Sequence, residues 1–414
     1  MKPTSRILTI IISLAVCTTL SAIEDWPVWR GPNRNAIAPA NQSPPTKWSE
    51  DENVIWKTEV PGRGHASPII VGNRIFLSTA DDQEQSQSVV CFDRETGKQL
   101  WDSVVHTGGF PKKIHGNNTH ASATMSASGN RVFVNYYNND SILLAALDFD
   151  GEVLWKKNTG AFFPRFPFGY GSSLCVYNDL VIVMSDYSEK GYLAAYKQSD
   201  GTEAWRTKRG HTSSFATPII ATIKGKDQVL VSGSELRSYD PSTGEENWHV
   251  PIPQWIVSCG TPVWQDDTVF VSGGFPKPGT YAISASKHSI VWENRVKAYE
   301  QSLLVHDGYV YCHNEKGVAY CWRASDGEEM WKARATPGRV SASPVLVGDL
   351  IFMTGENGQT AVIKANPEKF ELVSKNKLGG SAFATPAFLD SKIYTRVADS
   401  KNSPTQYLYC LGTK

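Results

Sequence analysis

The sequence predicts an all-β chain, an eight-bladed β-propeller built from four-stranded antiparallel blades. Three observations predict it. A phrase of turn residues leading to tryptophan recurs along the chain, clearest at Cys91-Phe92-Asp93-Arg94-Glu95-Thr96-Gly97-Lys98-Gln99-Leu100-Trp101. The tryptophans that close the phrase, Trp56, Trp101, Trp155, Trp205, Trp248, Trp292 and Trp331, fall 39–54 residues apart, and a four-stranded blade takes roughly 40–50 residues. Between them the chain alternates in short runs rich in Val, Ile, Tyr and Phe, the pattern of strands and not of helices.

The first 22 residues read as a secretory leader. Lys2 and Arg6 make a basic start, Ile7 to Leu20 an apolar stretch too short to span a bilayer comfortably, and Ser21-Ala22 a small-residue cleavage site. Export places the mature protein in the periplasm or outside the cell. Leu14-Ala15-Val16-Cys17 has the outline of a lipid-attachment box, so anchoring at Cys17 is the alternative. The whole chain has 41 Lys and Arg against 41 Asp and Glu, and the leader takes only Lys2 and Arg6 from that count. A near-neutral mature chain without a basic block argues against nucleic acid and against an anionic membrane surface. No second segment is apolar enough to span a membrane as a helix, and the expected state is a monomer.

Residues 23–52 are Pro-, Gly- and Asn-bearing and therefore irregular. Trp26 and Trp29 need cover, so the segment is expected to lie across the propeller. Residues 53–414 are the propeller itself. Val54-Ile55-Trp56 is a blade strand with no blade before it, and Tyr407 to Leu411 a blade strand with no tryptophan after it. The N-terminal strand should complete the last blade and leave no sheet edge at the junction.

Each blade should begin at a three-residue start whose central residue is a hydroxyl: Ser67, Ser122, Ser173, Thr217, Thr261, Ser302, Ser343 and Thr385. A hydroxyl in the same slot of every blade is expected to bond backbone at the crowded inner strands. The turn phrase weakens twice. Ser284 to Ser289 leads to Trp292 without its glycine, and Ala365-Asn366-Pro367-Glu368 leads to Val373 in place of tryptophan.

Six cysteines follow the leader. Cys91, Cys321 and Cys410 fall at one repeat position where other blades carry Ala146, Ala195, Ser238 and Ala282. Equivalent atoms of separate blades are too far apart to bridge, so buried free thiols are expected.

The phrase at Cys91–Trp101 resembles the tryptophan-docking motif of the pyrroloquinoline quinone (PQQ) repeat, and the resemblance covers nearly the whole mature chain. It implies a ring of blades tied together by tryptophans lodged between neighbours. Two branches share that scaffold, PQQ-dependent alcohol dehydrogenases and the BamB-like branch, which binds no quinone. The opening Trp-Pro-x-Trp-Arg-Gly-Pro-Asn and the run Tyr299 to Val305 resemble a further group of secreted bacterial PQQ-like repeat proteins. The methanol-type enzymes carry a vicinal Cys-Cys disulfide, a Ca2+ site of oxygen ligands and an Asp base. This chain has no Cys-Cys pair, and its turn aspartates are explained by the repeat. The resemblance therefore implies a non-catalytic binding or assembly scaffold without cofactor or metal. The alternatives are a quinoprotein oxidoreductase using PQQ with Ca2+, and a metal-dependent enzyme using histidines at the channel mouth.

Residues just before the inner strands should ring that mouth, giving His65, His120, Cys259 and Glu300, with Tyr170 beside them. His65 and His120, each before Ala-Ser, read as equivalent slots on adjacent blades that could share a ligand or a metal. The plain alternative is that they face water. Two long connections on the same face, 106–120 with Phe110, Lys112 and His115, and 161–170 with Phe163, Arg165 and Phe168, make a recognition surface for a protein or a small ligand. Self-packing of the loops is the competing reading.

Overall fold

The computed structural model describes residues 25–187, 190–210, 213–253, 255–401 and 403–413. Residues 1–22, read above as a leader, and with them Cys17, lie outside the described residues. Within them the chain forms eight four-stranded antiparallel sheets and one small three-stranded sheet. The eight are blades, and in chain order they occupy 69–107, 126–161, 175–209, 219–251, 263–294, 304–334 and 345–377, with the eighth at 387–411. That eighth sheet is completed by Val54–Val60, which pairs antiparallel with Gln406–Leu411 and aligns Trp56 with Cys410. No helix among the described residues is long and apolar enough to cross a membrane.

The repeat phrase is a three-strand packing unit. In blade 1 Phe76 pairs with Cys91, and Cys91 with Trp101. Blade 6 repeats this as Tyr311, Cys321 and Trp331. The slot opposite the tryptophan is small because the indole leans across it. This accounts for Cys91, Cys321 and Cys410, which are buried free thiols like Cys175 and Cys312; Cys259 is half-buried. Each indole then reaches the next blade. Nε1 of Trp56, Trp101, Trp155, Trp205, Trp292 and Trp331 donates to a carbonyl in the neighbouring turn, at Arg94, Phe149, Gln198, Pro241, Ala324 and Asn366, over 2.8–3.1 Å.

Trp248 is the exception. In the next turn, Ser284 to Ser289, His288 stands beside the indole, whereas Trp331 keeps its carbonyl bond over a turn that also lacks glycine. Trp248 instead stacks on His288, with centroids 5.5 Å apart, and donates to Gln228 within its own blade.

In blade 7 the expected register moves by one residue. Val362 pairs with Ser374, so Ser374 and not Val373 occupies the tryptophan slot. Phe352, the aromatic that would receive the indole, is stacked by Trp48, with centroids 6.2 Å apart and planes 16° from parallel. Trp48 comes from the N-terminal segment and is buried. The segment is pinned by Trp48 N–H donating to Asn376 Oδ1 at 3.0 Å, and by Asn376 Nδ2 and Ser374 Oγ donating to the Thr46 carbonyl.

Upstream, residues 26–38 run across the turn-side end of the central channel, away from the long loops. Trp26 exchanges backbone hydrogen bonds with Ile70, the Pro27 carbonyl accepts from Ala127 N–H, and Ala36 and Ala38 bond to Leu346. Arg30 is buried and donates to the Leu303 carbonyl at 2.7 Å, while Arg34 reaches the Val176 carbonyl at 2.7 Å. One segment thereby touches the inner strands of blades 1, 2, 3 and 7 and the approach to blade 6.

Candidate functional site: the central cavity

A circle of hydroxyls lines the channel. Ser67 N–H donates to Thr124 Oγ1, Thr124 to Ser173, Ser173 to Thr217, Thr217 to Thr261, Thr261 to Ser302, Ser302 to Ser343, Ser343 to Thr385, and Thr385 back to Ser67. These eight bonds, 2.9–3.2 Å long, hold the inner strands in register around the ring. The expected backbone role of the hydroxyls is thus met, with one correction: in blade 2 the member is Thr124 and not Ser122. Ala121-Ser122-Ala123-Thr124 offers a small residue and a hydroxyl twice, two residues apart, and the longer preceding loop takes up the first pair. Ser122 instead accepts from Thr119 N–H at 3.2 Å. Thr217→Val should cost about 1–3 kcal/mol by stranding the buried Ser173 N–H, read as a lower urea midpoint; an unchanged midpoint would mean that the circle does not brace the ring.

The same two-residue shift moves His120. Its place before Ala-Ser predicts the slot of His65, but Ser122 holds the equivalent place. His120 packs on Phe110, with centroids 4.2 Å apart, and faces Asp82 at 3.8 Å, outside the cavity. The pairing of His65 with His120 as a shared site is therefore not formed. Tyr170 is likewise a core residue, its hydroxyl donating to the Met184 carbonyl at 2.8 Å and accepting from Asn135. Phe110, Lys112, Phe163 and Arg165 do not line the cavity either. Phe163 is exposed beside Tyr187, and Arg165 lies over Phe166.

The structure does bring together His65, His115, Phe168, Cys259 and Glu300, around a cavity of ≈ 320 Å3. Trp29 closes it on the side of the N-terminal segment, and Phe215, Tyr299 and Phe383 supply further aromatic walls. His65 stacks on Phe383, with centroids 4.1 Å apart and planes within 8°. Burial holds its pKa well below the ordinary histidine value, and Arg63 and Arg396 add to this. It is a neutral ring at pH 7.

Across the cavity a polar cluster forms that the sequence reading did not assemble. Ser341 Oγ reaches Glu300 Oε2 at 2.5 Å and Glu356 Oε1 at 2.8 Å. Arg339 stands 4.0 Å from Glu300 and 3.6 Å from Glu356. Burial raises the Glu300 pKa, and the Glu356 carboxylate adds to it. The Ser341 bond, Arg339 and His115 act in the other direction. Burial also pushes the Cys259 thiol up, with Glu300 reinforcing it, so the thiol stays protonated and is a poor nucleophile. Ser341 was foreseeable as the slot residue of blade 7. Glu356 sits in a hairpin turn that carries no repeat signal.

A ninth sheet decorates the loop side. Ser213–Ser214 runs parallel to Trp255–Ser258, which pairs with Phe275–Pro276. It joins the connections before blades 4 and 5 to a hairpin of blade 5. Ile256 and Phe275 are 43% and 49% exposed on it, and Phe163, on the neighbouring loop, 56%.

Comparison with known proteins matches residues 85–333 to the family described as outer membrane protein assembly factor BamB. The protein of that name from Burkholderia pseudomallei is 23% identical over 364 residues, covering 74% of this chain and 87% of the relative. That from Bordetella pertussis is 20% identical, covering 78% of each. Among solved structures, BamB from Moraxella catarrhalis superposes with a TM-score of 0.63 at 13% identity, over 86% of this chain and 96% of that one. A europium-containing methanol dehydrogenase superposes with a TM-score of 0.71 at 11% identity, over 95% and 99%. At these identities the two structures speak for the PQQ-like propeller fold alone.

Proposed function

Because this chain belongs to the family of outer membrane protein assembly factor BamB, we propose that it is an exported, non-catalytic scaffold of the cell envelope that docks a protein partner on its loop side. The observation that carries this reading is the ninth sheet. It closes no blade, and while Ser214, Val257 and Ser258 are buried it holds Ile256 and Phe275 out to solvent on the loop side, where Phe163 is exposed too. Apolar side chains held out on an ordered platform are the usual centre of a protein interface.

The donor set speaks against the quinone alternative. PQQ carries three carboxylates and is held in such enzymes with Ca2+. Here the cavity presents the Glu300 carboxylate with Glu356 behind it, and the rim cation Arg339 already faces both. Among the described residues no group of three or more His, Cys, Asp or Glu side chains could hold a metal.

Two measurements test the scaffold reading. Titration of the mature protein with PQQ and Ca2+, followed by tryptophan fluorescence and dye reduction with simple alcohols, should give neither saturation nor turnover; turnover would overturn it. Photo-crosslinkers placed at Ile256, Phe275 and Phe163 in cells should give discrete adducts absent from the outer-strand positions Leu154 and Val291. Equal labelling at both sets would remove the loop side as a docking surface.

A further inference from the structure

We propose that the central cavity is a binding site for a saccharide ring, taken as a free sugar or as the end of a glycan. Three features of its wall point to that chemistry, independently of the loop-side docking above.

The first is the hydroxyl circle. All eight members are at most 7% exposed. Each gives a lone pair to the amide of an adjacent blade, and none has an acceptor for its own proton among the described residues. Six of the eight line the cavity. Buried donors without acceptors are costly unless a ligand or water takes them up.

The second is Glu300. Its Oε2 receives Ser341, but Oε1 has only Arg339 at 4.0 Å, beyond hydrogen-bond range. An acceptor therefore faces the same space as the donors. The third is aromatic. Trp29, Phe215 and the Phe383 ring stacked on His65 border the space from different sides.

Charge and size narrow the class. A phosphate or carboxylate would suit the O–H donors but would meet Glu300. A simple cation would suit Glu300 but would meet the donors. A polyol ring suits both, because each of its hydroxyls donates and accepts, and its C–H faces pack on aromatic rings. The volume, ≈ 320 Å3, is at the low end of small-ligand pockets, roughly 300–1,000 Å3, a size for a mono- or disaccharide. Trp29 closes the far side, so a longer glycan enters by its end.

The test is calorimetry on the mature protein with glucose, galactose, N-acetylglucosamine, cellobiose and chitobiose, with inorganic phosphate as the anionic control. Saturable binding of at least one sugar, and none of phosphate, is expected. A disaccharide at least about tenfold tighter than its monosaccharide identifies a glycan end, and equal affinities a free sugar. Glu300→Gln and Phe215→Ala should each weaken binding about tenfold while keeping the cooperative melting of the parent, and Phe163→Ala should leave it unchanged. No saturation by any sugar up to about 20 mM, a free-energy scale at which a built site should register, overturns the proposal. So does phosphate binding, or wild-type affinity in both cavity variants.

Discussion

Trp205→Ala is expected to lower the free energy of unfolding by about 3–5 kcal/mol, the usual cost of deleting a buried aromatic ring. Trp205 is 9% exposed, packs in the core of blade 3, and donates to the Pro241 carbonyl of blade 4 at 3.1 Å. The substitution therefore removes core and interblade contact together. The opposite face of the same contact gives an independent reading. Gly244 lies under the indole with φ +73°, and a Cβ there would come within 2.3 Å of Trp205 Cε3. Gly244→Ala meets both a left-handed backbone, disfavoured by about 1–2 kcal/mol, and an overpacked contact, about 1–3 kcal/mol. The double variant Trp205→Ala, Gly244→Ala should lose less than the sum of the two, because the clash vanishes with the ring. Urea midpoints of the four proteins decide it. Additive losses would mean that the turn glycine serves its own turn and not the neighbouring tryptophan.

That pairing explains why so much of the ring was readable from the chain. A tryptophan, a small residue opposite it and a glycine in the next turn are three local marks of one interblade contact, and they recur at the blade period. Where a mark is missing, the contact changes at Trp248, which meets His288, but not at Trp331, which keeps its bond to the Asn366 carbonyl. The register of blade 2 was not readable, because Ala121 to Thr124 states the start signal twice and only the length taken by the preceding loop chooses between them. His65, Cys259 and Glu300 were found because they occupy a slot that the repeat defines. Glu356, Arg339 and Trp29 belong to a hairpin turn, a connection and the N-terminal segment. They meet the slot residues through the folding of blade 7 on itself, its packing against blade 6 and the docking of the N-terminal segment, none of which leaves a periodic trace.

Blade 7 carries this furthest. Its strands put Ser374 where every other blade has tryptophan, and read alone it is a defective repeat. The defect is repaired from the N-terminal segment, for Trp48 fills the space over Phe352 and belongs to the same core as Leu346, Phe388 and Leu408. Glu50 extends the clamp, accepting from Gly379 N–H at 2.7 Å and from the Tyr409 hydroxyl at 2.7 Å. The segment is then part of the ring's closure and not an appendage, because it joins blade 7 to blade 8 where no blade tryptophan does. Trp48→Ala should accordingly cost about 3–5 kcal/mol, as much as a blade tryptophan, although it lies in no blade. Trp29→Ala should cost less, since Trp29 is only half-buried and borders the open cavity. Urea denaturation of the two variants separates the cases. A Trp48→Ala loss under about 0.5 kcal/mol, typical of surface substitutions, would mean that blade 7 holds its place without the surrogate.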